Sequence, residues 1–482
     1  MAYRSPNSRG AGFYEERSRP FMSTCHSDEQ AMRSISYRIA DFLLGFDERA
    51  LAAAHFNQTA RAVIDTVSVA YAGRREPAAI TMLDYLGGRR AVHETVAWGT
   101  RERLPLEEAA LYNGTAGHVL DFDDVTSPMR GHPSIALLPA LLALSDAYDK
   151  TGAQLTAAFV AGFEVMIKLA KSMVGDHYAK GWHSTASVGT LGATAACAHL
   201  LNLDRKQIAN ALGLAVAQSG GTRANFGTMA KSFQAGNCGA AAVRSVLLAQ
   251  KGFDSSPMAV NGSYGYMSLY ANGEDLHAQM DTLGSGSLEI IDSGLEIKKY
   301  PLCYATHRTI DGVLDLKSEH GLALEQIDHV DVTCNHRAMV PLIHPRPQTG
   351  LEAKFSMHYA VAAAIHDGYV KLVSFTDEAV RRPSIQQFFE KVHAREDNGA
   401  ASPRWNRIMI STKSGQTLEK MVTQLRGGPD SPLTESELLE KAADCFVHGG
   451  CQASPETFFD TAFAMQRIRV RDILSACPAA SC

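Results

Sequence analysis

The chain has 482 residues, 45% of them hydrophobic and 20% charged, with a net charge of −5. This length exceeds what one hydrophobic core usually serves, so two domains are expected. The near-neutral balance and the lack of a Lys/Arg block argue against nucleic acid or an anionic membrane as the main partner, and no uninterrupted apolar run reads as a bilayer span.

In chain order, residues 1–30 are polar and mixed in charge and lack the apolar stretch of a secretory signal, which predicts a disordered arm. Residues 31–293 read as helical. Ala62 to Tyr71 and Ala136 to Leu144 are apolar on most faces, as in helices buried within a bundle. Ser187 to Leu201 is rich in Ala and Gly, which lets helices approach closely. Residues 294–425 change character. His329 to Cys334 and Ile408 to Lys413 alternate with the period of a half-buried strand, and Ser414-Gly415 reads as a hairpin turn. Residues 426–476 return to helix, opened by the capping-box pattern Thr434-x-x-Glu437, and 477–482 read as a frayed tail. The predicted fold class is mainly α: a large helical domain built from both chain ends with a smaller inserted α+β domain. Nine cysteines without a Cys-x-x-Cys pair suit reduced thiols and a cytoplasmic location.

The chemistry-bearing residues fall in islands. Gly117-His118-Val119-Leu120-Asp121-Phe122-Asp123-Asp124, followed by Gly131-His132-Pro133-Ser134, sets imidazoles and carboxylates in a mostly apolar context. Such groups are costly near a core unless paired, and proton-transfer chemistry needs them. Asp121, Asp123 and Asp124 could hold a divalent cation, but that cluster alone does not fix a ligand count, and no metal is assigned. The next island is Trp182-His183-Ser184, at a predicted helix start. It is followed by Lys231, placed among small and apolar neighbours, where a lysine either binds a carboxylate or loses its proton more readily. Lys298-Lys299-Tyr300-Pro301 with Cys303 and His307 lies near the expected domain boundary, and His344-Pro345-Arg346 offers a guanidinium for a carboxylate.

In this order the islands resemble the MmgE/PrpD family, together with Val188-Gly189-Thr190-Leu191-Gly192, Gly236-Asn237 and Lys354-Phe355-Ser356. The resemblance covers about Ser34 to Asp472. It implies the fold above with the inserted domain as a lid, a homodimer, no organic cofactor, and a site between the domains at Asp121, His132, His183, Lys231 and Lys298. Lys299, Cys303, His307 and Arg346 are further expected substrate contacts, and no metal is expected. The implied chemistry is proton transfer at the carbon next to a carboxylate of a small di- or tricarboxylate. A dehydratase-like lyase related to 2-methylcitrate dehydratase leads, and an epimerase of the iminodisuccinate type is the alternative. The chain departs from the cis-aconitate decarboxylase pattern at Cys303, where that branch has a histidine, and near Ala338, where it has a tyrosine. It also lacks the Trp-Leu-Asp-Phe-Asn-Asp form of the dehydratase branch. A non-catalytic carboxylate-binding scaffold is the competing class, and retention of Asp121, His132, His183 and Lys231 together argues against it.

Overall fold

The computed structural model describes residues 34–88, 91–173, 176–271, 276–451 and 453–477. The expected N-terminal arm, and the tail apart from Cys477, lie outside these residues. The fold is mainly α. Its helices of eight residues or more are α1 (Ile35–Gly45), α2 (Ala53–Gly73), α3 (Pro77–Leu86), α4 (Leu106–His118), α5 (Pro133–Ala147), α6 (Gly152–Ser172), α7 (Ser184–Leu200), α8 (Arg205–Val216), α9 (Met229–Gln250), α10 (His307–His320), α11 (Met357–Asp367), α12 (Glu435–His448) and α13 (Glu456–Phe463). A small antiparallel pair joins β1 (Glu94–Val96) to β2 (Arg103–Pro105).

Two hydrophobic cores are separate. The larger draws on residues from Ile35 to Ile297 and then on Leu433 to Ile473, so the two ends of the described chain are packed into one body. The smaller runs from Tyr300 to Leu418. It is built on a four-stranded sheet, β3 (Ile327–Cys334), β4 (Val392–Glu396), β5 (Asn406–Thr412) and β6 (Thr417–Val422), in the order β4-β3-β5-β6. β3 pairs parallel with β4, Asp331 opposite His393, and antiparallel with β5. The expected hairpin joins β5 to β6, and Gly415 takes the left-handed φ of +88° that the turn demands. The predicted box opens α12: Thr434 Oγ1 accepts from Glu437 N, and the Glu437 carboxylate accepts from Thr434 N.

The apolar run of α6 is interrupted by Glu164 and Lys168. This helix is long and apolar enough to cross a membrane by length and composition, with a mean hydropathy of 1.4 over its best window. That window is 83% buried inside the protein, so its apolar surface is spent on neighbouring helices.

Close helix contact positions the site. α4 and α9 meet at Gly114 and Gly236, where a Cβ on Gly114 would lie 2.6 Å from the Gly236 Cα. A Cβ on Gly236 would fall 2.3 Å from the Leu111 carbonyl oxygen and 2.5 Å from Thr115 Oγ1. Gly236→Ala is therefore expected to destabilise the protein by roughly 1–3 kcal/mol. Denaturant titration measures this, and an unchanged midpoint would mean that the contact relaxes freely.

Candidate functional site

Three helix N-termini converge with one loop. His132 is the N-cap of α5, His183 is the N-cap of α7, and Lys231 lies in the first turn of α9. The loop is the segment after α4, where Asp121 adopts a left-handed backbone with φ 54°. Free N–H groups and aligned dipoles at helix N-termini favour negative charge.

Asp121 is the hub. Its Oδ1 lies 2.5 Å from Lys231 Nζ and 3.5 Å from His132 Nε2, and its Oδ2 lies 3.3 Å from Lys298 Nζ. Burial pushes this carboxyl up, but the two ammonium groups outweigh burial and hold it well below the usual range. Reciprocally, burial lowers Lys231, yet Asp121 more than reverses this, so the lysine is held protonated. A readily deprotonated Lys231 is thus not what the fold produces.

Asp123 forms a second buried centre. Its Oδ2 accepts from His118 Nδ1 at 2.8 Å and lies 3.1 Å from His132 Nδ1. The His118 and His132 rings meet edge to face at 4.5 Å, while His118 and His183 stack at 5.8 Å. Gln234 orients His183: its Nε2 donates to the Thr222 carbonyl, which turns its Oε1 toward His183 Nδ1 at 2.7 Å. Nδ1 then carries the proton, and Nε2 is left as a bare acceptor. His183 Nε2 and His118 Nε2 are both buried and without a hydrogen-bond partner among the described residues. Burial lowers His183 to about 2 and His118 to about 4, so both are neutral bases near pH 7.

The remaining expected residues divide. Cys303 is buried beside this cluster, with its thiol pushed up to about 11 by burial, so it is a neutral proton carrier. His307 is buried, its Nε2 3.3 Å from the Leu302 carbonyl oxygen. Lys299 instead pairs with Glu437 at 2.6 Å. Arg346 is exposed and pairs with exposed Glu390 at 2.8 Å, so the structure does not bring it to the cluster. Ala338 sits in the smaller core and offers no polar group.

Residues absent from the expected set belong to the cluster: His118, Asp123 and Lys354, whose Nζ donates to the Leu120 carbonyl at 2.6 Å. His118, Asp123 and His132 each present a ligand atom within 4.8 Å of one another and could hold a metal ion. The same atoms already satisfy one another as imidazole–carboxylate contacts, which is the simpler use of the set.

The MmgE/PrpD N-terminal domain matches this chain over residues 37–279 and the MmgE/PrpD C-terminal domain over 300–455. The chain belongs to the MmgE/PrpD family. Within it, similar proteins include cis-aconitate decarboxylase of Mus musculus, 28% identical over 85% of this chain and 86% of that protein. The human cis-aconitate decarboxylase is 26% identical over 85% and 87%, and that of Aspergillus terreus 24% identical over 79% and 82%. Membership of MmgE/PrpD agrees with the bundle, the second core and the order of the motifs.

Burial of neutral histidines makes stability pH-dependent. His118 takes a proton in the fold only at about 4 and His307 only at about 3, against about 6.5 in an unfolded chain. Their contribution is complete above pH 6.5 and is lost as pH falls through the folded values. Heat-unfolding midpoints should therefore fall steadily from pH 6.5 toward 4. His307→Gln should flatten that slope by one proton, roughly 1.4 kcal/mol per pH unit; an unchanged slope would show that His307 is not buried as a neutral ring.

Proposed function

We propose that the protein is a cofactor-independent lyase acting on a small di- or tricarboxylate through proton transfer at the carbon next to a carboxylate. The observation that carries this reading is the pairing of two ammonium groups, half-buried Lys231 and buried Lys298, around Asp121, with His183 close enough to feel the Lys231 charge and its Nε2 without a partner among the described residues. His183 Nε2 removes the proton. The lysines and the helix N-termini hold the carboxylates and stabilise the charge that develops on the substrate. His132, held between Asp121 and Asp123, is the second proton-transfer group.

Elimination of water is the favoured outcome, with Cys303 or a lysine ammonium supplying the proton to the departing hydroxyl. Decarboxylation is the second reading and is supported by the likeness to cis-aconitate decarboxylases. The neutral thiol of Cys303 and the apolar surroundings of Ala338 weigh against it, since by the resemblance that branch is expected to carry a histidine at the first position and a tyrosine near the second.

Incubation in D2O with citrate-like acids, cis-aconitate and aspartate-like acids, followed by NMR, tests the assignment. A new vinyl proton signal is expected. Loss of CO2 would move the assignment to decarboxylation, and deuterium uptake without loss of water or CO2 would move it to epimerisation. Inertness toward all these acids would overturn the carboxylate-lyase reading.

A further inference from the structure

The carbonyl oxygens of three successive residues, Leu120, Asp121 and Phe122, each accept a hydrogen bond from a different buried lysine. Lys354 reaches Leu120 at 2.6 Å, Lys298 reaches Asp121, and Lys441 reaches Phe122 at 2.9 Å. Lys298 directly follows Ile297 of the larger core, Lys441 lies on α12, and Lys354 leads from Ala353 of the smaller core toward α11. The segment they grip contains the left-handed Asp121, a conformation that costs a non-glycine residue of order 1–2 kcal/mol and so needs outside support.

Lys354 differs from the other two. Lys298 and Lys441 each also pair with a carboxylate, Asp121 and Asp65, whereas Lys354 has none within ion-pair distance among the described residues. It is only 7% exposed and lies 5.8 Å from the Phe375 ring centre, and Asp121 and Glu76 act on it only from beyond ion-pair distance. A buried ammonium without a counter-ion is unfavourable, and burial accordingly lowers Lys354 to about 8. Lys354, next to Ala353 of the smaller core, thus reaches the Asp121 loop through one directed hydrogen bond.

We propose that Lys354 is a positioning residue: by holding the Leu120 carbonyl it sets the Asp121 backbone, and through it the alignment of the Asp121 carboxylate with Lys231 and His132. This rests on the function proposed above for its kinetic test and stands apart from it for its structural one.

The test compares Lys354→Met with Lys354→Gln, which keeps a hydrogen-bond donor but not the charge. With whichever acid turns over in the NMR assay, Lys354→Met should lower kcat about 100-fold or more with KM within a few-fold, and Lys354→Gln should recover most of that loss. Equal damage from both variants, or a loss confined to KM, would make Lys354 a direct carboxylate holder and overturn the proposal. Hydrogen exchange of the peptide spanning residues 119–124 needs no turnover. It should quicken in Lys354→Met and stay near wild type in Lys354→Gln. Unchanged exchange in Lys354→Met would overturn the proposal whatever the reaction proves to be. Should Lys354→Met fail to fold, the Lys354→Gln exchange and kinetics decide alone.

Discussion

Replacement of His183 by asparagine is expected to lower turnover about 10²- to 10⁴-fold while leaving the cooperative unfolding transition intact. The asparagine amide can still donate to Gln234 Oε1, as His183 Nδ1 does, so the contact between the starts of α7 and α9 survives. What disappears is the ring nitrogen on the far side, which is buried, bare and facing no protein donor among the described residues. If that atom takes the substrate proton, nothing replaces it: His118 Nε2 belongs to a ring stacked at 5.8 Å and is directed by its own bond to Asp123. Gln234→Leu should cost less, because the imidazole remains and only its tautomer is released. Its signature should be a changed pH profile of kcat rather than a uniform loss. Full activity in His183→Asn, with a measured substrate, would remove His183 from proton transfer. The same assay on Lys231→Met should show a loss in both kcat and KM, since that ammonium offsets the buried Asp121 charge and faces the substrate's carboxylates as well.

Much of this arrangement is legible in the amino-acid sequence, and what is not has physical reasons. Long apolar runs such as Ala136 to Leu144 can only be buried helix, and the period-two alternation of His329 to Cys334 marks β3 directly. β4 escapes such a reading because its buried residues, Val392 and little else, sit at the strand start, while His393, Arg395 and their neighbours are exposed or half-buried. The strand is made by pairing with β3, which is a non-local fact. His118 stands in plain view in the motif that opens the site. Its membership depends on the left-handed turn at Asp121, which brings Asp123 back against it, and aspartate does not announce that conformation as glycine would. Lys299 and Arg346 mislead in the other direction. Each looks available in sequence, yet each meets a glutamate far along the chain, Glu437 and Glu390, that local pattern cannot pair with it. Lys354 is visible as a motif residue, but the lack of a carboxylate beside it emerges only in three dimensions.

Lys441→Met is expected to cost about 3–5 kcal/mol of stability, among the largest effects of any single side chain in the larger core. Lys441 is 6% exposed, pairs with Asp65 and lies 4.0 Å over the Phe122 ring. Behind it Asp65 and Asp124 are both buried; burial pushes both carboxyls up, Asp65 pushes Asp124 up further, and Asp123 adds to the push on Asp65 while Lys441 and the Asp124 backbone N–H work against it. Ser134 answers Asp124 through its backbone N–H at 3.2 Å and through its hydroxyl. One lysine thus serves a two-carboxylate pair, and Asp124, which burial and Asp65 hold well above the usual carboxylate range, is answered by Ser134 instead. Methionine fills the volume but leaves Asp65 buried without its cation. The double variant Lys441→Met/Asp65→Asn should recover a large part of the loss, because removing both members of a buried pair costs less than orphaning one. Denaturant midpoints for the two single variants and the double variant measure the coupling. A single-variant loss below about 1 kcal/mol, or a double variant no better than Lys441→Met, would show that the pair is not buried as an ion pair. The same substitution removes the donor to the Phe122 carbonyl, one residue from Asp121. Stability and turnover should therefore fall together in Lys441→Met, whereas Lys354→Met should lower turnover with far less effect on the denaturant midpoint. That contrast separates a lysine that neutralises the core from one that only aims the loop.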